Sequence, residues 1–122
     1  MPERKDLVRV PTRWRQYDII RLIQLVSRSY GVNECLALRI AYHESEFNPY
    51  AEGDDGKAVG LWQWHLPSWH HVRDKMGRPL DDERSQPWAS TDTAMYAMGV
   101  LGLWQWWSTL EMAYLDCMNT TP

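Results

Sequence analysis

The 122-residue chain has only two cysteines, no long run of like charge, no internal repeat and no low-complexity tract. Each absence excludes something. Cys35 and Cys117 are two distant thiols, which make neither a disulfide framework nor a zinc-ligand cluster, so buried free thiols are the expectation. His43, His65, His70 and His71 add no metal site, because no HExxH spacing is present and His70 and His71 point apart if helical; neither metal nor cofactor is expected. The net charge of −3 comes without the basic stripe through which a nucleic-acid binder releases counterions, so nucleic acid is excluded as a partner. No stretch approaches the ~18 apolar residues of a membrane span. Residues 1–10 are charged and lack the apolar centre of a secretory signal, so the chain as given is not expected to export itself by the usual route.

What remains is an ordinary globular composition, 44% hydrophobic and 24% charged, in a length suited to one domain with its own core. A single domain over 1–122 is expected, with 1–11 an irregular arm. Strand-like alternation is nearly absent, whereas helical spacing recurs. Thr12 can cap a helix over 13–30, where Ile19, Ile20, Ile23, Val26 and Tyr30 form a stripe and Gly31 supplies the stop. Asn33 can cap a second helix over 34–46. Residues 48–57 read as a turn-rich loop, 67–76 as a short helix ended by Gly77, and 77–86 as a polar loop. Ser90 or Thr91 can cap a helix over 92–101, weakened by Gly99, and 104–117 predicts one more. The fold class is therefore mainly α, with a loop or small hairpin near 50–60.

The stretch that organises the chain is 41–51, followed by 58–64. Glu44 continues the apolar face of Leu36, Ala37, Ile40 and Ala41, whereas Glu46 lies about 200° further round the wheel. A carboxyl at the edge of an apolar face loses hydration, which raises its pKa toward the range of a general acid near neutral pH. The alternative is a solvated or paired charge at a helix end.

These residues carry a resemblance. Glu44-Ser45-x-Phe47-x-Pro49-x-Ala51, then Ala58-Val59-Gly60-Leu61-x-Gln63 and Pro67-Ser68-Trp69, resembles the motif set of the soluble lytic transglycosylase and goose-type lysozyme superfamily, over residues 41 to about 69. The resemblance implies a compact lysozyme-like domain with a catalytic helix and a cleft. It also implies cleavage of the β-1,4 bond between N-acetylmuramic acid and N-acetylglucosamine in peptidoglycan. By the same resemblance Glu44 protonates the leaving oxygen, Ser45 steadies that carboxyl, and Gln63 with the Gly60-Leu61 backbone holds the sugar. The loop from Gly53 to Gln63 is similar to the goose-type pattern, which makes Asp54 the candidate second acid. His65 stands where such lysozymes tend to carry a further acid and joins the substrate-binding candidates. The late tyrosine motif of the transglycosylases has only an echo, Met95-Tyr96-Ala97-Met98-Gly99, so Tyr96 is a candidate against its reading as a helix-interior residue.

Eight tryptophans are present, and Trp can lie flat on a sugar face while its indole N–H donates to a hydroxyl. Trp14, Trp88 and at least one of Trp104, Trp106 and Trp107 are expected to be core or staple residues. Trp62, beside Gln63, is the candidate to touch substrate, with a core position as its alternative.

Two reaction outcomes stay open. In a transglycosylase Glu44 next acts as base on the sugar's own C6 hydroxyl; in an inverting hydrolase Asp54 activates water across a carboxyl separation of roughly 6.5–9.5 Å. In the hydrolytic case Asp54→Asn costs at least about tenfold in activity and products end in reducing sugars. Asp54 as a mere turn former is the alternative. The rival from another class is a catalytically inactive lysozyme-like wall-binding or structural virion protein. The expected partner is the peptidoglycan glycan strand at the bacterial cell wall, met by a monomer or by part of a larger wall-penetrating, phage-delivered assembly.

Overall fold

The computed structural model describes residues 14–119. The arm at 1–11 and the Thr12 cap lie outside the described residues. Within them the chain forms α1 (Gln16–Ser29), α2 (Glu34–Ser45), the strands β1 (Glu52–Gly53) and β2 (Ala58–Val59), α3 (Leu66–Met76), α4 (Pro87–Gly99), a 3-10 turn (Trp104–Trp106) and α5 (Leu110–Asn119). None of the helices among these residues is long and apolar enough to cross a membrane.

The first helix starts three residues later than the expected start at 13, because the Arg15 N–H donates to Asp18 Oδ2 at 2.9 Å and closes the first turn there. Its buried face is Ile19, Leu22, Ile23 and Val26. Asn33 caps α2 as expected, accepting from the Leu36 N–H at 2.9 Å. The helix ends at Ser45, where Glu46 and Phe47 turn left-handed at φ 53° and 64°. Buried Ala37, Ile40 and Ala41 seat α2 between α1 and α5.

The free-thiol expectation is overturned. Cys35 at the start of α2 and Cys117 near the end of α5 form a disulfide, with their Cα atoms 6.0 Å apart. A separation of 82 residues in sequence hid the fact that the two helices lie side by side.

The central helix also differs from expectation. α4 begins at Pro87, whose fixed φ suits a first helical position, and Gln86 caps it by accepting from the Ala89 N–H at 2.7 Å. Ser90 and Thr91 are therefore not caps but buried residues inside the helix. Thr93 Oγ1 donates locally to the Ala89 carbonyl at 2.7 Å and Thr91 Oγ1 accepts from the distant Trp62 indole at 3.0 Å, while the buried Ser90 hydroxyl has no hydrogen-bond partner among the described residues. Gly99 lets the end of α4 press on the α1–α2 connection, since a Cβ there would come within 2.9 Å of the Tyr30 carbonyl oxygen.

A cluster of indoles closes the other side of α4. Trp64 meets Trp69 and Trp107 edge-on, with centroids 6.0 and 5.4 Å apart, and Trp62 meets Trp107 at 6.5 Å. Trp107 Nε1 donates to the Trp62 carbonyl at 3.1 Å, which holds Trp107 in extended backbone and breaks the helix expected over 104–117 into a 3-10 turn and α5. Trp107 is thus the core member expected of its group, while Trp88, at 53% exposed, is not core at all.

Candidate active site

A cleft of about 310 Å³ opens beside this indole cluster, bordered by Glu44, Asp54, Gln63, His65, Ser68 and Trp106 among others. Glu44 enters it from the last turn of α2. The apolar face that carries Ile40 and Ala41 into the core also half-buries this carboxyl, and burial pushes its pKa up. Two weaker influences pull down: Thr109 Oγ1 donates to Glu44 Oε2 at 2.9 Å, and His43 lies nearby. The net direction is up. Glu46 sits left-handed and exposed just beyond the helix end and is not among the residues that line the cleft.

Thr109 had no sequence signal, because nothing local links it to a helix end 65 positions earlier. The hydroxyl that meets the Glu44 carboxyl is that of Thr109, not that of Ser45. Ser45 is buried, and its hydroxyl donates to the Ala41 carbonyl at 3.0 Å, back along its own helix. His43 Nε2 and Asp116 Oδ2, 2.7 Å apart, tie α2 to α5 a second time.

The opposite border is the hairpin. β1 and β2 pair antiparallel with Glu52 opposite Val59 and Gly53 opposite Ala58, and the connecting turn holds Asp54 and Asp55 left-handed at φ 56° and 57°. Asp54 Oδ2 lies 3.0 Å from His65 Nε2, and both side chains are solvent-accessible. Asp54 and His65 thus reach the same cleft as Glu44, as a pair.

Gln63 borders the cleft too, with its amide nitrogen occupied. At φ 51° it folds back so that Nε2 donates to the Gly60 carbonyl at 3.0 Å and the Ala51 carbonyl at 3.2 Å. It laces the hairpin to the turn that follows. Gly60 and Leu61 are buried and lie behind the cleft rather than at its surface. Gly60, at φ 90°, is packed so closely that a Cβ would sit 2.0 Å from the Arg84 carbonyl oxygen. Arg84 falls in the stretch whose composition predicts only a polar loop. It is buried, bonds the Asp82 carboxylate at 2.8 Å, and donates to the Lys57 and Trp64 carbonyls at 2.9 and 3.0 Å, fastening the hairpin to the body. The guanidinium holds the Asp82 carboxyl below its ordinary range.

Two further candidates move. Trp62 borders the cleft but is 1% exposed, its Nε1 donating to Thr91 Oγ1 at 3.0 Å, so its ring is packed from behind. Tyr96 does not border the cleft. Its ring stands edge-on to Tyr30 at 6.2 Å, and its hydroxyl reaches the Lys75 carbonyl at 3.4 Å.

The family model of the transglycosylase SLT domain matches residues 21–101, about two thirds of the chain. The matched stretch spans Glu44, the hairpin and the Gly60–Gln63 turn, and stops before Trp106, Thr109 and α5. No curated protein and no solved structure matches the chain.

Proposed function

Because the chain belongs to the transglycosylase SLT domain family, and so is a peptidoglycan-cleaving enzyme of the lytic transglycosylase type, we propose that Glu44 is its general acid and then its general base. The observation that carries the reading is the half-buried Glu44 carboxyl, raised in pKa by that burial and oriented by Thr109, at the border of the cleft. Protonated Glu44 gives its proton to the oxygen bridging N-acetylmuramic acid and N-acetylglucosamine. The muramic C1–O bond breaks, and the glucosamine unit leaves with a free 4-hydroxyl. The Glu44 carboxylate then takes the proton of the C6 hydroxyl on the same muramic residue as that oxygen bonds to C1. A 1,6-anhydro ring closes, Glu44 is an acid again, and no water is consumed.

Hydrolysis is the second reading, and one observation favours it: Asp54 borders the same cleft as Glu44. An ionised Asp54 would activate water on the ring face opposite Glu44. Its 3.0 Å contact with His65 Nε2 engages one carboxylate oxygen, which weighs toward the single-carboxyl route. Mass spectrometry of the muropeptides released from purified cell walls separates the two, since 1,6-anhydro ends weigh 18 Da, one water, less than reducing ends. Intact walls after incubation would overturn both.

A further inference from the structure

The tryptophans bordering the cleft are buried unequally. Trp62, Trp64 and Trp107 are 1%, 3% and 5% exposed, whereas Trp106 is 41% exposed. Exposure alone means little, as Trp88 is 53% exposed and lies outside this cleft. Trp106 differs because it shares the cleft with Glu44 and because its ring is held in place from behind. It stands perpendicular to Trp64, with centroids 6.5 Å apart, and lies tilted against His71 at 5.8 Å. Its backbone is fixed in the 3-10 turn, where the Trp106 N–H donates to the Leu103 carbonyl at 3.1 Å and the next residue is pinned through the Trp107 indole.

From these observations we propose that Trp106 is the stacking platform for one N-acetylhexosamine ring of the glycan strand. This rests on the peptidoglycan-cleaving reading and adds a residue beyond the matched family segment. A pyranose with equatorial substituents presents a face of C–H bonds, and a held indole offers that face an apolar surface without losing freedom of its own on binding. Ser68 and Ser108, also at the cleft border, supply hydroxyls for the polar edge of the same sugar. A platform of this kind acts on ground state and transition state alike, so its loss raises KM and leaves kcat nearly unchanged.

The test uses the full chain and soluble glycan strands stripped of peptide. Binding is read by titration in the Glu44→Gln background, and turnover in the otherwise native enzyme. Trp106→Ala is expected to weaken binding and raise KM roughly five- to tenfold, with kcat within about threefold. Trp106→Phe, which keeps an aromatic face, is expected to recover part of the loss. Trp88→Ala serves as the control and is expected to leave both readouts unchanged. The platform is overturned if the native enzyme cleaves the strands and Trp106→Ala matches its KM, if Trp88→Ala weakens binding as much, or if Trp106→Phe is no better than Trp106→Ala. If the native enzyme neither binds nor cleaves the strands, the underlying peptidoglycan reading falls first and takes the platform with it.

Discussion

Thr109 and Glu44 meet across 65 positions of chain through a 2.9 Å hydrogen bond from the Thr109 hydroxyl to Glu44 Oε2. The donor stabilises the carboxylate while burial destabilises it, so one side chain is subject to two opposed influences and burial prevails. Thr109 sits just before α5, and α5 is tied to α2 by the Cys35–Cys117 disulfide and by His43 with Asp116. The orientation of the candidate acid is therefore a property of the α2–α5 pair rather than of α2 alone.

Glu44→Gln is expected to abolish protonation of the leaving group, with a loss of about 10²- to 10⁴-fold or more, while Glu46→Gln stays near native because Glu46 is exposed beyond the helix end. Equal loss in both variants would remove Glu44 from its role. Stability should move the other way. Glu44 holds its proton more tightly in the folded chain than in the unfolded one, so stability falls as pH rises from the ordinary Glu range through the raised value. The amide escapes that loss. Thermal melts should show Glu44→Gln above native at pH 7 and level with it below about pH 4; a variant melting lower at pH 7 would contradict the direction of the shift.

Thr109→Val removes the hydroxyl that favours ionised Glu44, so the carboxyl pKa is expected to climb further. Activity that needs protonated Glu44 declines as pH rises through that pKa. The alkaline limb of the kcat profile should accordingly shift upward in the variant, even as kcat at the optimum drops through poorer orientation. Thr109→Ser should restore the native limb. A limb that stays put in Thr109→Val would reduce Thr109 to packing.

Asp54→Asn discriminates between the reaction classes. On the single-carboxyl route it retains near-native activity and the products keep 1,6-anhydro ends. A drop of at least about tenfold, with reducing ends in the native products, would establish hydrolysis through Asp54 instead.

Gly60→Ala is expected to cost at least about 2 kcal/mol, because the new Cβ would meet the Arg84 carbonyl and the residue would hold φ 90° without glycine's freedom. Urea denaturation with an unchanged m value reads this directly. A loss under about 0.5 kcal/mol would mean that the 80s loop yields more easily than its bonds suggest.

Local features of the fold were legible in the sequence. Asn33 as a cap, Gly77 as a stop, and Glu44 as the half-buried carboxyl near the end of its helix each depend on residues within a turn or two of one another. The disulfide, the Thr109 bond and the Arg84 fastening depend on elements that meet only after folding, and spacing carries no trace of them. The helix that begins at Pro87 starts earlier than composition suggests, because buried Ser90 and Thr91 resemble caps. The tryptophans mislead for a related reason: Trp62 beside Gln63 and Trp106 far from any motif are the same residue type, and only packing decides that the first is enclosed and the second faces the cleft.

The Cys35–Cys117 link also bears on survival after backbone cleavage. Asp54, Asp55 and Lys57 in the hairpin turn are exposed, and they lie between the two cysteines. A protease cut at that turn would not release a fragment, because both pieces stay joined through the bridge. Glu44 on one piece and Thr109 on the other would remain neighbours at a high effective concentration, so re-docking would be an intramolecular event. A nicked enzyme at the cell wall would thus run as two bands on a reducing gel and one on a non-reducing gel, and could still carry its acid and its donor together.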